Sequence, residues 1–203
     1  MIERIKKWFY SLDPKTLENF LKEKPEGIMG GLKNYALSFI LPAILFFVVT
    51  LFLSTFVGSF LSLLFNSNVP VIGGVLFGIF LSIIVYIISI LSTLIFEFIY
   101  WIIAKVLGGK GTFSAQYYFN SFFSSAFVLI SFLGIIPCIG YILQFAALIY
   151  RLYIQFLFFK SFHGLSDVKA ALVVLIPIVL GVLIYLAILF SNPIITQKLM
   201  NSF

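Results

Sequence analysis

The chain has 203 residues, of which 62% are apolar and only 10% charged, against about 25% charged in a soluble domain. One membrane domain fits that length, with no room left for a soluble enzymatic domain. The net charge of +6 is read through membrane orientation and attraction to anionic lipid heads, and not as a nucleic-acid footprint.

The first 33 residues are the polar part. In residues 2–12, Ile2, Ile5, Phe9 and Leu12 share one helical face while Arg4, Lys6 and Lys7 lie elsewhere. Trp8 and Tyr10 suit a headgroup boundary, so the spacing predicts a basic amphipathic helix lying on the inner leaflet and attracting anionic lipids. Asp13-Pro14 is an N-cap followed by proline at the first helical position. A second short helix carries Leu17, Phe20 and Leu21 on one face. Pro25 and Gly27 end it, and Gly30-Gly31 is expected to be a flexible joint before the first span.

Five apolar blocks follow, at 35–65, 69–104, 113–133, 135–159 and 168–190. A helix of about 20 apolar residues crosses the hydrocarbon core, and lipid leaves no partner for free backbone groups, so each block is predicted helical. The fold class is therefore all-α: a polytopic bundle of five transmembrane helices with a short amphipathic N-terminal segment. Its parts are a cytoplasmic segment 1–33, a membrane domain 34–191 and an extracytoplasmic tail 192–203. The lysines support this order. Seven basic residues precede the first block, Lys105 and Lys110 follow the second, and Lys160 and Lys169 follow the fourth, whereas the linkers at 66–68 and 134 carry none. Basic loops mark the cytoplasmic side. No cleavable signal peptide is evident, so the first span is expected to act as its own insertion signal.

Within the blocks, Pro42 stands near the start of the first span. Gly74 and Gly78 have the spacing of a close helix approach. The third block is the most polar, with Gln116, Asn120, Ser121, Ser124 and Ser125; hydroxyls at such spacing predict tight helix packing. Pro177 and Gly181 are placed to bend the fifth span, and Pro193 to stop it.

Glu97 and Arg151 are the ionisable acid and base well inside apolar sequence, where an unpaired charge costs about 2.5–3.5 kcal/mol on insertion scales. Glu97 precedes Lys105 by about 12 Å of helix and Arg151 precedes Lys160 by about 13 Å. Similar depth predicts that the second and fourth spans touch and that Glu97 pairs with Arg151. Gln155, Gln116 and Asn120 would complete the cluster. The alternative is a proton-linked or ion-binding carboxylate.

Chemistry elsewhere is sparse. Cys138 is the sole cysteine, which excludes an intrachain disulfide, and His163 has no second histidine or cysteine near it to share a metal. His163 is expected to cap the fourth helix or touch lipid heads. Gly164 suits that helix's C-terminal turn and Ser166 caps the fifth. The run 108–112 lacks the GxxxxGK[ST] spacing of a phosphate loop. No nucleophile–base–orienter set is present, so neither catalysis nor a cofactor is expected.

Three runs carry a family resemblance. GGKGTF (Gly108, Gly109, Lys110, Gly111 and onward), IIPCIGYI (with Pro137 and Gly140) and HGLSDVKAALVVLIP (opening with His163 and Gly164) resemble, in order and spacing, the linker motifs of the Yip domain family of Ypt/Rab-interacting membrane proteins. The resemblance implies five membrane helices, a cytoplasmic N-terminus and a role in membrane organisation or trafficking, often as homo- or hetero-oligomers. The short N-terminal segment looks like the compact prokaryotic form. The expected function is a non-enzymatic scaffold or adaptor. The alternative is a small-solute or ion transporter or channel built on Glu97 and Arg151.

Overall fold

The computed structural model describes residues 2–65, 71–131 and 139–191. Among them are seven helices and no strand: α1 (Ile2–Tyr10), α2 (Pro14–Phe20), α3 (Gly27–Phe65), α4 (Val71–Val106), α5 (Phe113–Ser131), α6 (Ile139–His163) and α7 (Asp167–Ser191). The expectations for Gly134, Pro137, Cys138, Pro193 and the tail fall outside the described residues, as do the surroundings of Gly74 and Gly78.

Four helices, α3, α4, α6 and α7, are long and apolar enough to cross a membrane. The expected count of five is met for four of the helices; α5 is not among them. The reason lies in its surroundings. Twelve successive residues of α5, Gln116 to Phe127, are buried. A helix enclosed by protein on every side need not match lipid, and α5 accordingly carries Gln, Asn and Ser among its rings.

The packed core sits at one end of the bundle, the end bearing the lysine-rich turns. There the start of α3 (Asn34, Tyr35, Ser38), the end of α4 (Glu97, Ala104), α5, the end of α6 (Ile154, Phe158, Phe159) and the start of α7 (Ala170, Val173, Val174) are all buried. Away from that end, α6 exposes Ile142, Phe145 and Leu148, and α7 exposes Val182, Ile184 and Ile188. At 1.5 Å per residue α3 and α4 run about 58 and 54 Å, well beyond the ~30 Å hydrocarbon core.

Two expectations about the N-terminal part change. Protein covers part of the apolar surface of the first two helices: Trp8, Leu12, Leu17 and Phe20 are buried, whereas Ile2 and Phe9 of the face expected to meet lipid stay exposed. Phe20 meets Phe119, Phe122 and Phe123 edge-on at centroid distances of 5.3, 5.1 and 6.2 Å. An amphipathic pattern reads alike for a lipid surface and for a groove between helices, and here a groove of rings on α5 takes Phe20 of α2. Arg4–Glu26 and Lys7–Glu23 ion pairs, at 3.0 and 2.7 Å, close the outer side. Asp13 caps α2 as expected, accepting from Lys15 N at 3.0 Å. Second, Gly30-Gly31 is no joint. Both residues lie inside α3, where the missing side chains let the α5 rings approach. A Cβ on Gly31 would stand 2.5 Å from Tyr117 Cδ1 and 3.0 Å from its carbonyl oxygen. Gly31→Ala should therefore cost about 1–3 kcal/mol through overpacking, read as a lowered melting midpoint in detergent. Pro42 also proves to lie in the interior of α3, as Pro177 does in α7.

Candidate functional site

Glu97 is 4% exposed, and three neighbouring side chains face its carboxylate. Gln116 Nε2 donates to it at 3.2 Å, Tyr35 Oη stands 3.4 Å away, and Asn120 Nδ2 also donates. Gln116 Nε2 donates to the Glu97 carbonyl as well, at 3.0 Å. A backbone carbonyl only accepts, so the Gln116 amino group must face α4 and its Oε1 must face the other way. Oε1 lies 2.9 Å from His163 Nε2, which places the proton of that ring nitrogen toward Gln116. One glutamine on α5 thus ties the end of α4 to the end of α6.

The glycine turn closes over this link. Lys110 N donates to the His163 carbonyl at 3.1 Å, and Trp101 Nε1 to the Gly111 carbonyl at 3.2 Å. A Cβ on Gly109 would sit 2.7 Å from His163 Nδ1 and 2.8 Å from the Ala104 carbonyl, so that residue can only be glycine without a shift. Gly108 N bonds Lys105 O at 3.0 Å as α4 ends. Gly164 ends α6 with φ +64°, the left-handed turn that glycine adopts without strain, and Leu165 N returns to Lys160 O at 3.1 Å. His163 is fully buried between Phe159 and Phe162; the expectation that it touches lipid heads is corrected. Ala170 N bonds Ser166 O at 2.9 Å as α7 begins. Gly140 is buried near the start of α6.

The pairing of Glu97 with Arg151 is likewise corrected. Among the described residues the ion pairs are Arg4–Glu26, Lys7–Glu23, Lys22–Glu18 and Lys160–Asp167, and Arg151 is in none of them. The amides of α5 take the place at Glu97 that the guanidinium was expected to hold. Arg151 instead lies 5.9 Å from the Phe127 ring centroid. The two charges share a cavity of about 390 Å³, lined also by Tyr35, Phe96, Ser124 and Gln155. The spans that carry them do meet, with Tyr100 stacked on Phe159 at 5.6 Å. Beside Arg151, Tyr150 Oη donates to the Leu12 carbonyl at 2.6 Å, which ties the α1–α2 turn to α6 one residue from Arg151. Among the described residues no group of three or more His, Cys, Asp or Glu stands ready to hold a metal.

Two of the sequence motifs therefore converge: the Gly108–Gly111 turn and the His163-Gly164 turn are one packed unit over Gln116. Residues 31–189, most of the chain, match the Yip1 domain. The chain belongs to the Yip1 domain family. No curated protein and no solved structure matches it. In this Yip1 domain the match begins at Gly31, where the missing side chain leaves room for Tyr117 of α5. Tyr35 and His163 are the members of the Glu97 network that sequence reasoning missed. The signal for His163 was present in Gly109 and Gly111, small residues that leave room for a ring.

Proposed function

We propose that this Yip1-domain protein is a non-enzymatic membrane scaffold, in which the packed, lysine-bearing end is a rigid cytoplasmic platform and the apolar far halves of the helices stand in the bilayer. On this reading α5 is the fifth crossing, the N-terminus and the turns at 105–112 and 160–169 face the cytoplasm, and residues 192–203 lie outside. Lys105, Lys110, Lys160 and Lys169 at one end of the bundle support that orientation. The observation that carries the scaffold reading is the set of bonds around Glu97. Gln116, Asn120 and Tyr35 hold the carboxylate, and Gln116 is itself held by His163. Groups bound to one another in this way fix helices. The exposed Ile2, Phe9 and Tyr10 of α1, beside Lys6, are the surface left for a partner protein.

A photo-crosslinking residue at Phe9 in intact cells should give discrete protein adducts, and proteoliposomes of the purified chain should show no solute or proton flux above empty vesicles. Saturable flux abolished by Glu97→Gln would replace the scaffold with a transporter.

A further inference from the structure

The cavity beside Glu97 brings a carboxylate and a guanidinium to one space without joining them. Glu97 is oriented by its donors from α3 and α5. Arg151, on the opposite helix, has no carboxylate within ion-pair distance among the described residues, so its planar fork of donors remains available to an anion. An acid and a base held apart on two walls suit a ligand with an ammonium and a phosphate a few bonds apart. At about 390 Å³, the space lies within the range of small-ligand sites, about 300–1,000 Å³.

Depth points to the source of such a ligand. Tyr150, adjacent to Arg151, is bonded to Leu12 in the α1–α2 turn, and the neighbouring Asp13 and Lys15 are exposed. Exposed charges keep to water or headgroups, so Arg151 lies within about a tyrosine side chain's reach of the polar boundary of the bilayer, where lipid phosphates are. Phe96, on the cavity wall, is 59% exposed and with Phe39 and Val128 continues the wall as apolar surface suited to an acyl chain.

We propose that this cavity binds the headgroup of an amine-bearing phospholipid of the phosphatidylethanolamine type, with the phosphate on Arg151 and the ammonium toward Glu97. The site rests on the scaffold reading and gives it a lipid to organise.

The test is a titration of the purified full-length chain with phosphatidylethanolamine, phosphatidylcholine and phosphatidylglycerol of identical acyl chains, followed by native mass spectrometry. Phosphatidylethanolamine is expected to bind tightest, and Arg151→Gln to weaken it about tenfold or more, the worth of a bond to a charged group. Arg151→Lys should weaken it less. Glu97→Gln should remove the preference over phosphatidylglycerol and leave phosphatidylglycerol binding in place. Lys22→Gln, on the exposed N-terminal surface, should change nothing. Melting midpoints without added lipid show that the variants are folded, and Arg151→Lys keeps the charge if Arg151→Gln is not. Equal binding of all three lipids, or unchanged binding in a folded Arg151 variant, would overturn the site. O-phosphoethanolamine competing at the same concentration as the lipid would overturn the lipid assignment. Flux through Glu97 with lipid selectivity intact would remove the scaffold reading alone, while lost selectivity without flux would remove this site alone.

Discussion

Gln116→Leu is expected to cost this protein about 2–5 kcal/mol, the effect of leaving two buried polar groups each short of a bond at about 1–3 kcal/mol apiece. The leucine fills the space but donates nothing to Glu97 and accepts nothing from His163, so two buried polar groups lose bonds at once. Unfolding monitored in micelles would measure the loss. The cost should shrink when Glu97 is already Gln, because a neutral amide is cheaper to leave unpaired than a carboxylate. A cost below about 1 kcal/mol, the net worth of one ordinary hydrogen bond, would mean that Gln116 is not the link between α4 and α6.

The second large effect belongs to the N-terminal hairpin. Phe20 is 1% exposed and seated among three rings of α5. Phe20→Ala leaves a cavity worth about 3–5 kcal/mol, enough to unseat α1 and α2 without dissolving the helices behind them. Trp8, 2% exposed, reports the event. In a Trp101→Phe background its emission should shift to the red, and trypsin should cut at Lys22 and Lys24 faster than in the parent. If the emission stays blue and cleavage slow, α1 and α2 do not depend on that seat.

Much of the arrangement is legible in the sequence. Apolar length gives the long helices, Asp13-Pro14 gives the start of α2, and the glycine turns give the ends of α4 and α6. Glu97 and Arg151 stand out because charge is costly in apolar sequence, and the amides of α5 were placed near them. What sequence does not reveal is the choice of partner. Gln116 and Asn120 reach Glu97 first, and their spacing on α5 looks the same whether or not they do. Tyr35 reads as the edge of an apolar block, although its hydroxyl faces the carboxylate. The apolar side of α2 shows that something apolar covers it; only the rings at Phe119, Phe122 and Phe123 decide that the cover of Phe20 is protein. Hydropathy singles out four helices and not α5, because enclosure frees a helix from the hydropathy that lipid demands.

The account stands on the convergence of the glycine turn and the His163 turn over Gln116. Cysteines introduced as Lys110→Cys and Gly164→Cys, in a Cys138→Ser background, test that convergence directly with a short bis-maleimide in native membranes. The account predicts rapid intramolecular crosslinking that Gln116→Leu slows. Two thiols that label freely with a monofunctional maleimide yet never crosslink would contradict it.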